Sequence, residues 1–256
     1  MRLLLVNLLL LLFLSACTKK SDYKTEINNI EVNQLIKIDS SIVKFYLPFK
    51  KTLEESLMNT PISYSFETYK KNDGELNSTL SNMFADATFE MSNERFKAIS
   101  GNNIDIVLLN NGGIRSIISK GDISEKTAFE LMPFENRIVV LELNGKSVNK
   151  MIDYLRLVKL QHPIRGLQIK LNNDYSLNDV NIDGEKININ KKYYVATTDY
   201  LLDGGDKMYF LGETTKTIDI NYKMRDVLID YFKKNDTIKL ATDNRFIRIQ
   251  WIEKLL

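Results

Sequence analysis

The 256 residues contain one cysteine and one histidine. With Cys17 alone, no disulfide can form within the chain. His162 alone leaves no histidine-rich metal site, and its setting, Gln161-His162-Pro163, reads as a loop at a helix end. Excess charge of either sign is also missing. Lysine and arginine number 35 against 33 aspartates and glutamates, for a net charge of +2. The basic residues are scattered and do not form the concentrated face that a phosphate backbone requires, so no nucleic-acid partner is expected. Beyond the first sixteen residues no apolar run approaches the roughly 20 residues that span a bilayer as a helix. Internal repeats and low-complexity tracts are absent, and a hydrophobic share of 44% marks the bulk as globular.

What is present begins with Arg2, an apolar run from Leu3 to Phe13, and Leu14-Ser15-Ala16-Cys17. A basic start, a run too short to span and a small-residue stop are the marks of an export signal. The last four residues read as a lipobox. The expectation is a signal peptide over 1–16, lipidation at Cys17 and a polar tether over 17–37. The chain would then be an exported lipoprotein of the cell envelope. Buried acyl chains contribute roughly 0.8 kcal/mol per methylene, so two or three of them hold a domain firmly at a membrane.

The remainder, 38–256, reads as one mixed α/β domain, a mixed sheet with flanking helices. The spacing of apolar residues from Asp39 predicts a helix broken or kinked at Pro48. Pro61 to Tyr69 alternates like a strand. A longer helix opens at Asn77-Ser78-Thr79, whose hydroxyls suit an N-cap. Ile104–Leu109 and Ile138–Leu143 are predicted strands, the second closed by a turn at Asn144-Gly145. Ser147–Leu160 and Tyr222–Lys233 carry helical periodicity. Short strands are expected at Leu167–Leu171, Val180–Ile182, Tyr193–Ala196 and Phe246–Trp251, and Asp183-Gly184 is a hairpin signal between two of them.

Three segments carry chemistry. In NNGGIR, Asn110–Arg115, Gly112-Gly113 ends a strand and lets the backbone turn sharply beside a ligand. Arg115 follows, with a planar fork of donors suited to phosphate; the alternative is a plain turn with a surface arginine. In PFEN, Pro133–Asn136, Asn136 suits the edge of a base, while the ordinary alternative is a core Phe134 beside a loop asparagine. In TTDYLLDGGD, Thr197–Asp206, a ring at Tyr200 and a carboxylate at Asp206 flank a glycine pair. Either they grip a nucleoside by its base and ribose, or they are a buried tyrosine and a capping aspartate.

Taken together, in this order and spacing, the three segments resemble the substrate-binding C-terminal domain of the 5'-nucleotidase family. The resemblance runs from about Ser78 through Ile249. It includes Lys120-Gly121-Asp122-Ile123-Ser124, similar to a "GDIS" stretch, Glu142–Lys146, similar to an "LTGK" turn, and Asn244-Arg245-Phe246, similar to the closing strand. It implies a nucleotide site. Phe134 and Tyr200 would be the two plates around the base, Arg115 the phosphate ligand, Asn136 a base contact and Asp206 the ribose contact. Gly166, after Arg165, would form part of the pocket wall.

Two departures stand out. Family members carry further phosphate-binding arginines before the long helix, where this chain has Lys70 and Lys71. Glu135 stands where glycine is common, and it is expected to narrow the approach to Phe134.

In that family catalysis belongs to a separate metallophosphoesterase domain with two metal ions held by aspartates, asparagine and several histidines. The DxH, NHE, NHD and HxH patterns of such a site are not found here. The resemblance therefore implies a chain that holds a nucleotide or nucleoside and has no metal cofactor of its own. A separate metallophosphoesterase chain would supply the divalent metals and the hydrolysis. The alternative is capture or scaffolding by a lipoprotein without hydrolysis.

Overall fold

The computed structural model describes residues 28–57 and 60–249. The export signal, Cys17, the start of the tether and the end of the closing strand lie outside the described residues. Six α-helices are described: α1 (Ser40–Leu57), α2 (Thr79–Ser100), α3 (Glu125–Leu131), α4 (Gly145–Val158), α5 (Asp199–Leu202) and α6 (Met224–Lys234). The strands are β1 (Ser63–Ser65), β2 (Ile106–Leu108), β3 (Gly121–Ile123), β4 (Arg137–Asn144), β5 (Ile164–Arg165) and β6 (Leu167–Leu171). They continue with β7 (Leu177–Ile182), β8 (Lys192–Thr198), β9 (Lys216–Lys223), β10 (Thr237–Ile238) and β11 (Phe246–Arg248). Among the described residues no helix is long and apolar enough to cross a membrane.

Chain contacts divide the protein into 1–47 and 48–256, a boundary that falls within α1 at Pro48. The helix continues through this proline. Residues 48–256 form a mixed α/β unit around a five-stranded sheet in the order β5-β2-β8-β4-β9. In it β2 and β8 are parallel, and the other neighbours are antiparallel. Two three-stranded sheets, β10-β1-β3 and β11-β6-β7, flank it.

Both faces of the central sheet are covered, which explains the unbroken apolar sequence of β2. Val107 points into a core formed with Leu80, Phe84 and Phe96 of α2 and Leu228 and Phe232 of α6. Its neighbours Ile106 and Leu108 point into a second core with Val148, Met151, Ile152 and Leu155 of α4. Side chains that alternate between faces thus find apolar partners on each. α2 starts as predicted: the Ser78 hydroxyl accepts from Ser81 N at 3.1 Å, and the helix ends on Gly101 at φ +75.

Several expectations change. Asn144-Gly145 is not a turn: β4 runs straight into α4, and the Asn144 side chain caps that helix by accepting from Lys146 N and Ser147 N at 2.9 and 3.0 Å. Asp183-Gly184 does turn tightly, both at positive φ, but it closes a single bridge, Ile182 to Glu185. The connection between β6 and β7 lies instead at 172–176, with Tyr175 at φ +63. Tyr222 is not the first residue of a helix but the last buried residue of β9, a strand that the helical spacing does not predict.

Candidate functional site

Strand order brings the three motifs together. β2 and β8 run parallel side by side, so the loops after their C-terminal ends emerge at one edge of the sheet. The first carries Asn110–Arg115 and the second carries Asp199–Asp206. β4 runs antiparallel to β8, with Ile138 opposite Thr198, so the loop before its N-terminus reaches the same edge. That loop is Pro133–Asn136. The cleft they form, of about 270 Å³, is lined by Asn110, Gly112, Gly113, Arg115, Phe134, Asn136, Tyr200 and Asp206.

Phe134 and Tyr200 are 41% and 44% exposed, so neither is the core residue that its sequence context also allowed. Arg115 is exposed; its guanidinium sits 5.9 Å from the Phe134 ring centre, and Nη1 donates to Gly112 O at 3.3 Å. Asp206 adopts a left-handed conformation, φ +50, after Gly204 at φ +92. This bend turns its carboxylate back over the loop, where Oδ2 accepts from Asn110 Nδ2 at 2.7 Å and Oδ1 from the Tyr200 hydroxyl at 3.2 Å. A Cβ at Gly205 would lie 2.4 Å from Cε1 of Tyr200, so only glycine lets the ring lie against this loop.

Side chains outside the motifs hold the loops. Oδ1 of Asp199 accepts from Tyr200 N at 2.8 Å and from Arg137 N at 3.1 Å, tying the Tyr200 loop to the first residue of β4, directly after Asn136. Arg115 N donates to Leu131 O, and Met224 N to Asn136 O, both at 2.9 Å. The Tyr154 hydroxyl donates to Asp206 O at 2.9 Å.

Lys71 turns inward and donates to Ile114 O at 2.8 Å and Asn111 O at 3.3 Å, and so braces the glycine loop from below. Desolvation, then the nearby Arg115, lowers its pKa. Glu135 does not line the cleft. It pairs with Lys223 and with the buried Arg225, whose guanidinium stacks on Phe129. Hydrogen bonds from Lys223 and then Arg225 lower the Glu135 carboxyl to about 2. Instead of narrowing the approach, it pins the PFEN loop to the start of α6.

His162 also proves different from a plain loop residue. It is 2% exposed, packs against Tyr154 with ring centres 5.7 Å apart, and its Nδ1 accepts from Asn111 N at 3.2 Å. The neutral ring therefore carries its proton on Nε2, which is buried and has no partner at hydrogen-bond geometry. Burial holds the pKa down to about 4, outweighing Asp206 and then the Leu109 carbonyl, which favour the charged form. Depression of a base favours the neutral ring in the fold. The stability it contributes is complete above the ordinary value near 6.5 and falls as pH drops toward 4, by about 3 kcal/mol in all. As the only histidine, its imidazole resonances can be assigned directly. NMR titration is expected to give a midpoint near 4, and a midpoint near 6.5 would contradict the burial argument.

Gly166 lies elsewhere. β5 runs antiparallel to β2, so the residue after it falls at the opposite edge of the sheet from the cleft. It lines a second, polar cleft of about 700 Å³ with Asp86, Asp105, Arg165 and Arg245. Both arginines there are already paired: Arg165 with Asp86, and Arg245 with Asp86 and Asp243. Among the described residues, no group of three or more His, Cys, Asp or Glu is arranged to hold a metal ion.

Sequence reading missed Asn110 as a partner of Asp206, and it missed the supporting roles of Tyr154, His162 and Asp199. Asp199 had a local signal, its place beside Tyr200 in the same motif. The other links join residues 51 to 96 positions apart, and no periodicity or spacing announces them.

A family model for the 5'-nucleotidase C-terminal domain matches residues 56–213. Protein UshA of Escherichia coli is 30% identical over 153 residues, 57% of this chain and 27% of that protein. The 5'-nucleotidase of Vibrio cholerae is 26% identical over 240 residues, 89% of this chain and 40% of its own. Among solved structures, the 5'-nucleotidase precursor of Thermus thermophilus superposes with a TM-score of 0.68 at 20% identity, covering 82% of this chain and 43% of that one. The fold is thus shared, and the chain spans less than half the length of each of these relatives.

Proposed function

Because the chain belongs to the 5'-nucleotidase C-terminal domain family, we propose that it is a nucleotide- or nucleoside-binding lipoprotein of the cell envelope. One observation carries the reading: two exposed aromatic rings, a guanidinium and a bent-back carboxylate from three separate segments line a single cleft. Exposed rings favour stacking on a base, which is worth roughly 1–3 kcal/mol per base. The carboxylate accepts from hydroxyls, and the guanidinium suits a phosphate. Phe134 and Tyr200 take the base, Asn136 its edge, Asp206 the ribose and Arg115 the phosphate.

Hydrolysis, in this proposal, belongs to a separate metallophosphoesterase chain that supplies the divalent metals and docks over the cleft. Support comes from the 256 residues themselves, in which one histidine, buried behind the glycine loop, is the whole supply of imidazole ligands. The second reading, capture without hydrolysis, shares the binding site and dispenses with the partner.

The test is calorimetric titration of the full chain with AMP, followed by a phosphate-release assay with added divalent metal. Saturable heat without phosphate release is expected. Release by the purified chain would remove the need for a second chain, and no heat up to millimolar AMP would remove the binding reading.

A further inference from the structure

Resting on the nucleotide-binding reading, we infer that the cleft recognises the nucleoside itself, and that 5'-phosphates add little to its affinity. Among the residues lining the cleft the only charged side chains are Arg115 and Asp206, so the lining carries no net charge. Neither Lys70 nor Lys71, the two lysines of the segment before the long helix, lines the cleft, and Lys71 is turned inward. Its ammonium is held under the glycine loop by the carbonyls of Ile114 and Asn111. Moving it outward to meet a phosphate would leave both carbonyls without that donor and release the loop that aims Arg115. Arg115 in turn already places Nη1 on the Gly112 carbonyl.

A phosphate monoester carries a charge of about −1.5 to −2 at neutral pH. In this cleft it would meet one exposed guanidinium with the Asp206 carboxylate close by. An exposed ion pair strengthens an association by at most about fivefold. The nucleoside end has more to offer. Two half-exposed rings are available for stacking. Asp206 accepts from Asn110 at Oδ2 and from Tyr200 at Oδ1, and each oxygen has a further lone pair for a ribose hydroxyl. The two donors also hold the carboxylate in place before ligand arrives, so little ordering accompanies binding.

The experiment is calorimetry on the full chain at fixed ionic strength with adenosine, AMP and ADP, repeated on Arg115→Met. Adenosine and AMP are expected to bind within about tenfold of each other, with ADP no tighter than AMP. Arg115→Met is expected to narrow the gap between AMP and adenosine by no more than about fivefold. AMP more than tenfold tighter than adenosine, or ADP tighter than AMP, would overturn the inference while leaving the nucleotide-binding reading intact. Silence with all three ligands would overturn both.

Discussion

Alanine at Phe134 or at Tyr200 is expected to weaken adenosine and AMP binding by roughly ten- to a hundredfold each, with the fold unchanged. Stacking on a base contributes about 1–3 kcal/mol per ring as judged by truncation to alanine, and 1.4 kcal/mol is a factor of ten. Both rings are more than 40% exposed, so their loss opens no cavity in either core and leaves thermal stability nearly where it was. The two losses should not simply add, because the plates act on the same base. Tyr200→Phe separates ring from hydroxyl. It retains the plate and removes the bond to Asp206, for an effect of about 0.5–1.5 kcal/mol. Calorimetry on the three variants, with circular dichroism as the control for folding, reads all of this. Unchanged affinity in both alanine variants would end the clamp interpretation.

The second large effect is on stability and falls at Gly166. Its φ is +81, and a Cβ there would lie 2.0 Å from the carbonyl oxygen of Asp105 and 3.3 Å from Cα of Ile106. The residue stands where the chain leaves β5 of the central sheet and enters β6 of a flanking sheet, tight against the start of β2. Gly166→Ala therefore combines a strained left-handed residue, about 1–3 kcal/mol, with overpacking against backbone, about 1–3 kcal/mol more. For a chain of this size each kcal/mol lowers the melting temperature by roughly 2–4 °C. Thermal denaturation should show a drop of at least about 5 °C, while AMP affinity measured well below the transition stays as it was. Lost binding with unchanged stability would instead restore Gly166 to the pocket wall.

These residues show where sequence reasoning succeeds. The motif loops are legible because a glycine pair beside Arg115, another between Tyr200 and Asp206, and Pro133 before Phe134 carry a local signature, and strand order then gathers them. α2 was legible from Ser78 and its apolar spacing. β9 was not read, although Ile218, Ile220 and Tyr222 alternate with Thr217, Asp219 and Asn221. The strand runs into α6 without a side-chain cap, and the helical period swallowed its last residue. Asn144-Gly145 misled for another reason. Asparagine followed by glycine suits a hairpin, but here the asparagine caps a helix. The glycine is required because a Cβ would meet Asn188 O at 2.4 Å. Gly166 fitted a local pattern, yet the antiparallel direction of β5 carries it to the far edge of the sheet, a fact that no window of residues contains.

The single carboxylate of Asp199, bonded to Tyr200 N and to the first residue of β4 directly after the Phe134 loop, has a consequence for kinetics. A gap whose two walls share an anchor keeps its width whether or not a base lies inside it. Ligand is then expected to enter without a closing step, so that stopped-flow measurement gives an association rate rising in proportion to concentration with no plateau. Differences among bases are carried by how long each one stays.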